Sequence, residues 1–270
     1  MFRAKESSDS IRFSYIQKPM HKDIAITLED PAKWDMHPEH EILLILGNGV
    51  SYAIEDQKYD ILPYTLLMIP PNTYHHLIPE PPYTGCYERY MLCFHSRAVD
   101  ETLLQSVFQQ PGCYRLSPNH PITQAFRNLD QFCQDIPSAH TDLVLKTACT
   151  QILLDIYRLQ ETASLEVSVS TANSYPVLAY IEENLTQIQS LDQIAQHFYM
   201  STSALTHQFR TRMGITLMRY IRQKRLLLAR SMLEKGNKPL DVAAKCGFRE
   251  YTTFYKAYLQ FFGFPPSKNI

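Results

Sequence analysis

Two groups of side chains in this sequence could do chemistry, and they lie far apart along the chain. His37, His40, Glu41, His75 and His76 offer imidazoles and a carboxylate, donors that suit a borderline metal ion or a polar ligand. Along an extended strand, His37, Glu39 and Glu41 fall on one side and His40 on the other, and His75 and His76 cannot both point inward. At most one histidine of each pair therefore joins Glu41. Three ligands suffice for a metal site with an open position; a polar pocket for a small molecule and plain surface histidines are the other readings. The second group is Ser203, Thr206 and His207 with Tyr251, Thr252, Tyr255 and Lys256. These side chains can donate to or accept from base edges in a DNA groove. Beside them, Arg210, Arg212, Arg219, Arg222, Lys224 and Arg225 suit phosphate, which sets orientation and salt dependence.

A repeat positions the second group. At an offset of 49, Leu191-Asp192 recurs as Leu240-Asp241, Ala195 as Ala244, Leu205 as Phe254, Phe209 as Tyr258 and Gly214 as Gly263. Each copy reads as a short helix, a turn and a second helix, the order of a helix-turn-helix. The alanine suits a point where two helices cross closely. The four-residue spacing buries Leu205 and Phe209, or Phe254 and Tyr258, and frees the opposite face for a major groove. Helices are expected over 175–186, 191–198, 202–213, 217–235, 240–246 and 250–262, with Ser190 and Ser201 as N-caps. The helix over 217–235 would run roughly 27 Å, comparable to the ~34 Å of one DNA turn. One chain could then read two successive grooves.

The first group needs strands. Segments 11–16, 23–28, 41–46, 50–54, 64–69 and 86–94 are rich in β-branched and aromatic residues and bounded by Gly, Pro, Asn or Asp. Gly47-Asn48-Gly49 reads as a hairpin turn. Short antiparallel strands without intervening helices imply a sandwich or small barrel. From 97 to 161 the period turns helical, and Leu145, Cys149, Ile152 and Ile156 form one stripe. That stripe would cover the barrel or contribute to a symmetric interface with a second copy. The Ser- and Thr-rich stretch over 162–174 reads as a linker.

Composition agrees with two domains of different partners. The chain has 270 residues and 45% hydrophobic content, enough for a packed core in each of about two domains. Residues 175–270 carry 13 Lys and Arg against 6 Asp and Glu, while residues 1–174 carry 13 against 21. A basic part joined to an acidic part is expected when only one domain meets phosphate. The six cysteines form no C-x-x-C pair and read as reduced thiols. The first residues lack a signal-peptide core, and no apolar run reaches membrane-spanning length, so a cytoplasmic chain without a membrane partner is expected. No nucleophile elbow, P-loop or dinucleotide fingerprint is present, so no enzyme activity is expected.

Residues 175–270 resemble the AraC/XylS family of bacterial transcription regulators. The resemblance rests on the paired helix-turn-helix units, Ala244-x-x-Gly247-Phe248, the aromatics Phe209 and Tyr258 ending each reader helix, and Phe261-Phe262-Gly263-Phe264-Pro265-Pro266. Residues 11–95 more loosely resemble the cupin-type sensor that many members carry. There the matching residues are His37-x-x-x-Glu41, Gly47-x-Gly49, Ile69-Pro70-Pro71-x-x-x-His75 and Glu88-Arg89-x-x-x-x-Phe94. The resemblance implies an α+β multidomain fold. A cupin-like antiparallel β-barrel would occupy 1–96, a helical extension with a dimerisation role 97–163, a linker 164–174, and an all-α double helix-turn-helix domain 175–270. It also implies a homodimeric, sequence-specific DNA-binding regulator, commonly an activator, that binds double-stranded promoter DNA. RNA polymerase would be a further partner in activation.

The family's base-contacting positions match Ser203, Thr206, His207, Tyr251, Thr252, Tyr255 and Lys256. Its sensors mostly look like metal sites without holding metal. The expectation is therefore a pocket for a small effector, often a sugar or related metabolite, formed by His37, Glu41 and His75 with Tyr87 and Arg89, without metal or cofactor. A metal-dependent cupin enzyme fused to a DNA-binding tail, and a regulator whose first domain only dimerises, are the competing classes.

Overall fold

The computed structural model of the chain describes residues 2–7 (as backbone), 10–22, 36–109, 111–135, 138–162 and 175–267. Two compact units are present, Met1–Ala172 and Asn173–Ile270. The linker expected over 164–174 and the strand expected over 23–28 lie outside the described residues.

Alternation along the chain builds the strands of the first unit. They are β1 (Phe2–Ser7), β2 (Ile11–Pro19), β3 (His40–Ile45), β4 (Val50–Ile54), β5 (Gln57–Asp60), β6 (Thr65–Ile69), β7 (His75–Pro79), β8 (Cys86–Phe94) and β9 (Cys113–Arg115). All pair antiparallel. They form a six-stranded sheet in the order β1-β2-β8-β3-β6-β9 and a three-stranded sheet in the order β5-β4-β7.

This corrects the expected cupin-like barrel. Closing a barrel requires the outer strands to find partners all round, and among the described residues the two sheets stay separate and unclosed. Both faces of the large sheet are apolar. Ile42 and Leu44 on β3 join Phe13, Leu92 and Phe94 in one core, while Leu43 and Ile45 join Val50, Tyr52, Leu67 and Tyr87 in a second.

Gly47-Asn48-Gly49 is accordingly a corner between sheets and not a hairpin turn. β3 pairs with β6 and β8, whereas β4 pairs with β5 and β7. The corner is pinned to β8, with Leu46 N–H and Asn48 N–H donating to Glu88 O (2.8 Å) and Cys86 O (3.1 Å). A Cβ on Gly47 would collide with the Cys86 carbonyl, so only glycine lets the chain turn that close to β8.

Three helices cover the first core: α1 (Glu101–Phe108), α2 (Pro121–Asp135) and α3 (Thr141–Thr162). On α3, Leu145, Cys149, Ile152 and Ile156 have no exposed surface and pack in the core with Phe126, Leu92 and Phe94. The stripe therefore covers the sheet and is not available to a second copy. Burying each of its Leu or Ile side chains contributes roughly 2 kcal/mol.

The second unit is helical: α4 (Pro176–Asn184), α5 (Leu191–His197), α6 (Thr202–Met213), α7 (Leu217–Glu234), α8 (Pro239–Lys245) and α9 (Tyr251–Phe262). Ser190 and Ser201 cap as expected, their hydroxyls accepting from Gln193 N–H and Ala204 N–H. α6 and α9 follow the sequence offset of 49, burying Leu205 and Phe209, and Phe254 and Tyr258. The preceding helices do not. The bonds Phe198 N→Ile194 O and Met200 N→Ala195 O recur as Cys246 N→Val242 O and Phe248 N→Ala243 O, an offset of 48. The buried alanine of the second copy is thus Ala243 (2% exposed), and Leu240, paired by sequence with Leu191, is 66% exposed. One additional residue sits in the second copy's turn, which the matching Leu-Asp and Ala pairs concealed.

Candidate functional site

In the first unit, β3 aims alternate residues at its two cores. Glu41 shares the face of Leu43 and Ile45 toward the small sheet, and His40 shares the opposite face. His40 stacks on Phe94 with ring centroids at 5.3 Å and meets Phe108 edge-on at 4.5 Å. Burial pushes the His40 and His76 imidazoles down to about 4. Removed from water, each ring is held neutral.

Glu41 gathers the remaining groups. His37 Nε2 lies 2.9 Å and His75 Nε2 3.2 Å from Glu41 Oε2, and Arg89 Nη1 lies 3.6 Å from Glu41 Oε1. Burial alone would raise the Glu41 carboxyl, but hydrogen bonds with His37 and His75 outweigh it and hold the group well below the usual carboxylate range. Arg89 lies over the Tyr87 ring at 5.9 Å. Tyr87 and Arg89 are two apart on β8, which brings both to the face that Glu41 occupies. His37, Glu41, His75, Tyr87 and Arg89 thus form one neighbourhood.

Two members of this neighbourhood, Tyr52 and the Thr73 carbonyl, and the pairing of Glu39 were not read from the sequence. Tyr52 on β4 packs in the same core as Tyr87, and the Val50–Tyr52 alternation could have shown its direction. Glu39 sits 3.4 Å from His37 Nδ1 and is paired with Arg12 at 3.0 Å. The Thr73 carbonyl receives a hydrogen bond from His75 Nδ1 at 2.9 Å. A backbone partner of that kind leaves no mark in a sequence.

In the second unit the two outer faces of α6 and α9 are open. Ser203, His207, Arg210 and Arg212 are exposed and Thr206 is half-buried; Thr252, Tyr255 and Lys256 are exposed and Tyr251 half-buried. Arg219 and Arg222 on α7 are exposed as well. Arg212 stacks over the Tyr175 ring at 4.8 Å.

Two of the residues expected at phosphates have partners within the chain. Arg225 donates to the carbonyls of Leu185 (2.9 Å), Gly247 (2.9 Å) and Ile188, bridging the loop before α5 to the turn between α8 and α9. Lys224 pairs with Glu182 at 3.2 Å and lies over the Tyr220 ring.

A helix-turn-helix pair in one unit and two sheets with a polar cluster in the other define a two-part class: a DNA-reading module joined to a ligand-binding module. Comparison with known proteins places it more closely. Residues 194–269 match a helix-turn-helix domain family and residues 30–153 match the AraC-like ligand binding domain family. The chain is thus similar to AraC/XylS regulators in both its DNA-binding and its ligand-binding segment.

Among curated relatives it is similar to the HTH-type transcriptional activator RhaS of Escherichia coli O139:H28 (strain E24377A / ETEC), 28% identical over 165 residues. The same protein of Escherichia coli (strain SE11) matches to the same extent. The match spans 58% of this chain and 57% of those relatives. Among solved structures, the DNA-binding domain of AdpA in complex with a target DNA is 26% identical, covering 34% of this chain and 84% of that one, with a TM-score of 0.33. ToxT from Vibrio cholerae O395 covers 97% of both chains at 10% identity and a TM-score of 0.38. Among the described residues no helix is long and apolar enough to cross a membrane.

Proposed function

We propose that the chain is a sequence-specific DNA-binding transcription activator that responds to a small polar effector, a sugar or related metabolite. The observation that carries this reading is the pair of helices α6 and α9. Each anchors one face through two apolar residues four apart and leaves polar and basic side chains in solvent. Their unit carries 13 Lys and Arg against 6 Asp and Glu, so phosphate is the natural counter-surface. Ser203, Thr206 and His207, with Tyr251, Thr252, Tyr255 and Lys256, contact base edges. Arg210, Arg212, Arg219 and Arg222 contact phosphates, while Arg225 and Lys224 support the unit internally. The activators it matches support activation and a regulatory role without catalysis; RNA polymerase would then be a further partner.

The effector is held among His37, Glu41, His75, Tyr87 and Arg89, whose convergent donors and acceptors suit hydroxyl or carboxylate groups. A homodimer would present two pairs of readers to double-stranded promoter DNA.

Selection of the full chain on a random duplex pool, followed by gel shifts across salt, tests the central reading. An enriched motif is expected, with affinity falling as salt rises by a log–log slope near −0.9 per phosphate contact. Binding without an enriched motif, or without salt dependence, would remove it. A thermal-shift screen with sugars and sugar acids tests the effector, because a ligand of the folded state raises the melting temperature. Sedimentation tests the dimer.

A further inference from the structure

Contrary to the expectation of no metal, we propose that His37, Glu41 and His75 bind one divalent first-row transition ion of the zinc type. The argument starts from a proton. His75 Nδ1 lies 2.9 Å from the Thr73 carbonyl oxygen, and a carbonyl only accepts. Nδ1 therefore carries a ring hydrogen, and in the one-proton tautomer the Nε2 lone pair faces Glu41 Oε2, 3.2 Å away. His37 poses the same problem, with Nε2 2.9 Å from that oxygen and Nδ1 3.4 Å from Glu39 Oε2. A neutral ring can donate toward only one of those two carboxylates. These contacts call for a positive centre among the three groups, either a second proton on an imidazole or a metal ion, and the donor set favours the ion.

Size and donor type fit an ion. The three ligand atoms lie within 4.8 Å of one another. The two contacts to Glu41 Oε2 approach the ~3.3 Å edge of a tetrahedron whose bonds are about 2.0–2.1 Å. Two imidazole nitrogens and one carboxylate oxygen favour zinc-like ions over magnesium or calcium, which take oxygen donors.

The surroundings also orient the ligands. Thr73 O fixes the His75 ring, Glu39 backs His37 and is itself held by Arg12 at 3.0 Å, and Arg89 sits beside Glu41 Oε1. Such outer partners set tautomer and aim in metal sites. Glu41 and His75 are each 4% exposed, so water competes little. Three protein ligands leave a fourth position for an oxygen of an effector; that last point alone rests on the effector reading above.

The test is calorimetric titration of chelator-stripped full-length protein with zinc chloride, in a competing chelator and without any effector. One zinc per chain is expected, with no competition from magnesium. Glu41→Gln and His75→Gln should each weaken binding at least about tenfold, and His37→Gln gives the same readout should either buried substitution unfold the chain. His76→Gln, whose ring lies beside Tyr74 at 6.1 Å, should bind as the parent does. Substoichiometric zinc, or undiminished affinity in the ligand variants, overturns the proposal and leaves protonated imidazoles as the positive centres. The effector reading stands or falls separately, on the thermal-shift screen.

Discussion

The two helix-turn-helix copies secure the same turn by different means. In the first copy the bonds are local. Ser190 and Ser201 cap their helices, and the Thr202 hydroxyl donates to Asp192 across the turn. Its left-handed position is Tyr199, at φ 53 and 99% exposed. In the second copy neither Lys238 nor Glu250 makes a side-chain cap bond. The equivalent left-handed residue is Gly247, at φ 81, where a Cβ would lie 2.6 Å from Thr186 O and 2.9 Å from Arg225 Cζ. A sequence-local turn tolerates change in its solvent-facing residue. A turn wedged beneath a guanidinium that also holds two other carbonyls does not.

The largest expected effect is at that wedge. Gly247→Ala adds a left-handed penalty and a backbone collision, and should destabilise the second unit by about 3 kcal/mol. The matched change Tyr199→Gly meets open solvent and should leave stability within about 0.5 kcal/mol of the parent. Calorimetry on both variants reads the contrast, and equal losses would dissolve it. Arg225→Met comes next: it strands the Leu185, Ile188 and Gly247 carbonyls and should cost about 2 kcal/mol. Arg222→Ala, on the exposed face of the same helix, should leave the melting temperature alone and weaken DNA binding.

On the reader face of the first copy, His207→Ala should relax preference at one or two adjacent base pairs, costing ~1–3 kcal/mol on the best site. Arg210→Ala should weaken all sequences alike and lower the salt slope by about one contact. Binding to single-base operator variants at two salt concentrations separates them; a uniform loss for His207→Ala would move that histidine to phosphate or packing. The smallest effect concerns the caps. Ser201→Ala should cost about 1 kcal/mol, whereas Glu250→Ser should stabilise slightly by supplying a cap that is missing. Denaturant midpoints for the pair would show whether local capping is what distinguishes the copies.

Much of this was legible in the chain because the signals are local. Caps, a four-residue apolar spacing and closing glycines place the helices of the second unit to within a residue or two. Alternation places β2, β3, β4, β6 and β8, and puts Glu41 opposite His40. What the sequence does not carry is partnership. Gly47-Asn48-Gly49 has the chemistry of a hairpin turn, yet β3 and β4 enter different sheets, since alternation orients side chains without naming the neighbouring strand. The α3 stripe suits a sheet as well as a second helix. The repeat misled by one residue because Leu240-Asp241 copies Leu191-Asp192 in type while Pro239 takes the place of Leu191 in the helix. Arg225 looks like its neighbours Arg222 and Lys224 until the carbonyls around it are known. Strand alternation set Glu41 apart from His40, but His37 lies ahead of β3, and neither the bend between them nor the Thr73 carbonyl that orients His75 was readable.

Thr206 illustrates how an internal bond can write a preference into a groove. Its hydroxyl donates to Thr202 O at 2.9 Å and is shared with Ser203 O at 3.1 Å. The proton is thus committed to the helix, and what the side chain presents outward is lone pairs. In a major groove those accept only from an amino group, adenine N6 or cytosine N4, and find no partner in guanine O6 or thymine O4. The base beneath Thr206 in selected duplexes should therefore be A or C on the contacted strand; a consistent G there would show that the hydroxyl has let go of its helix.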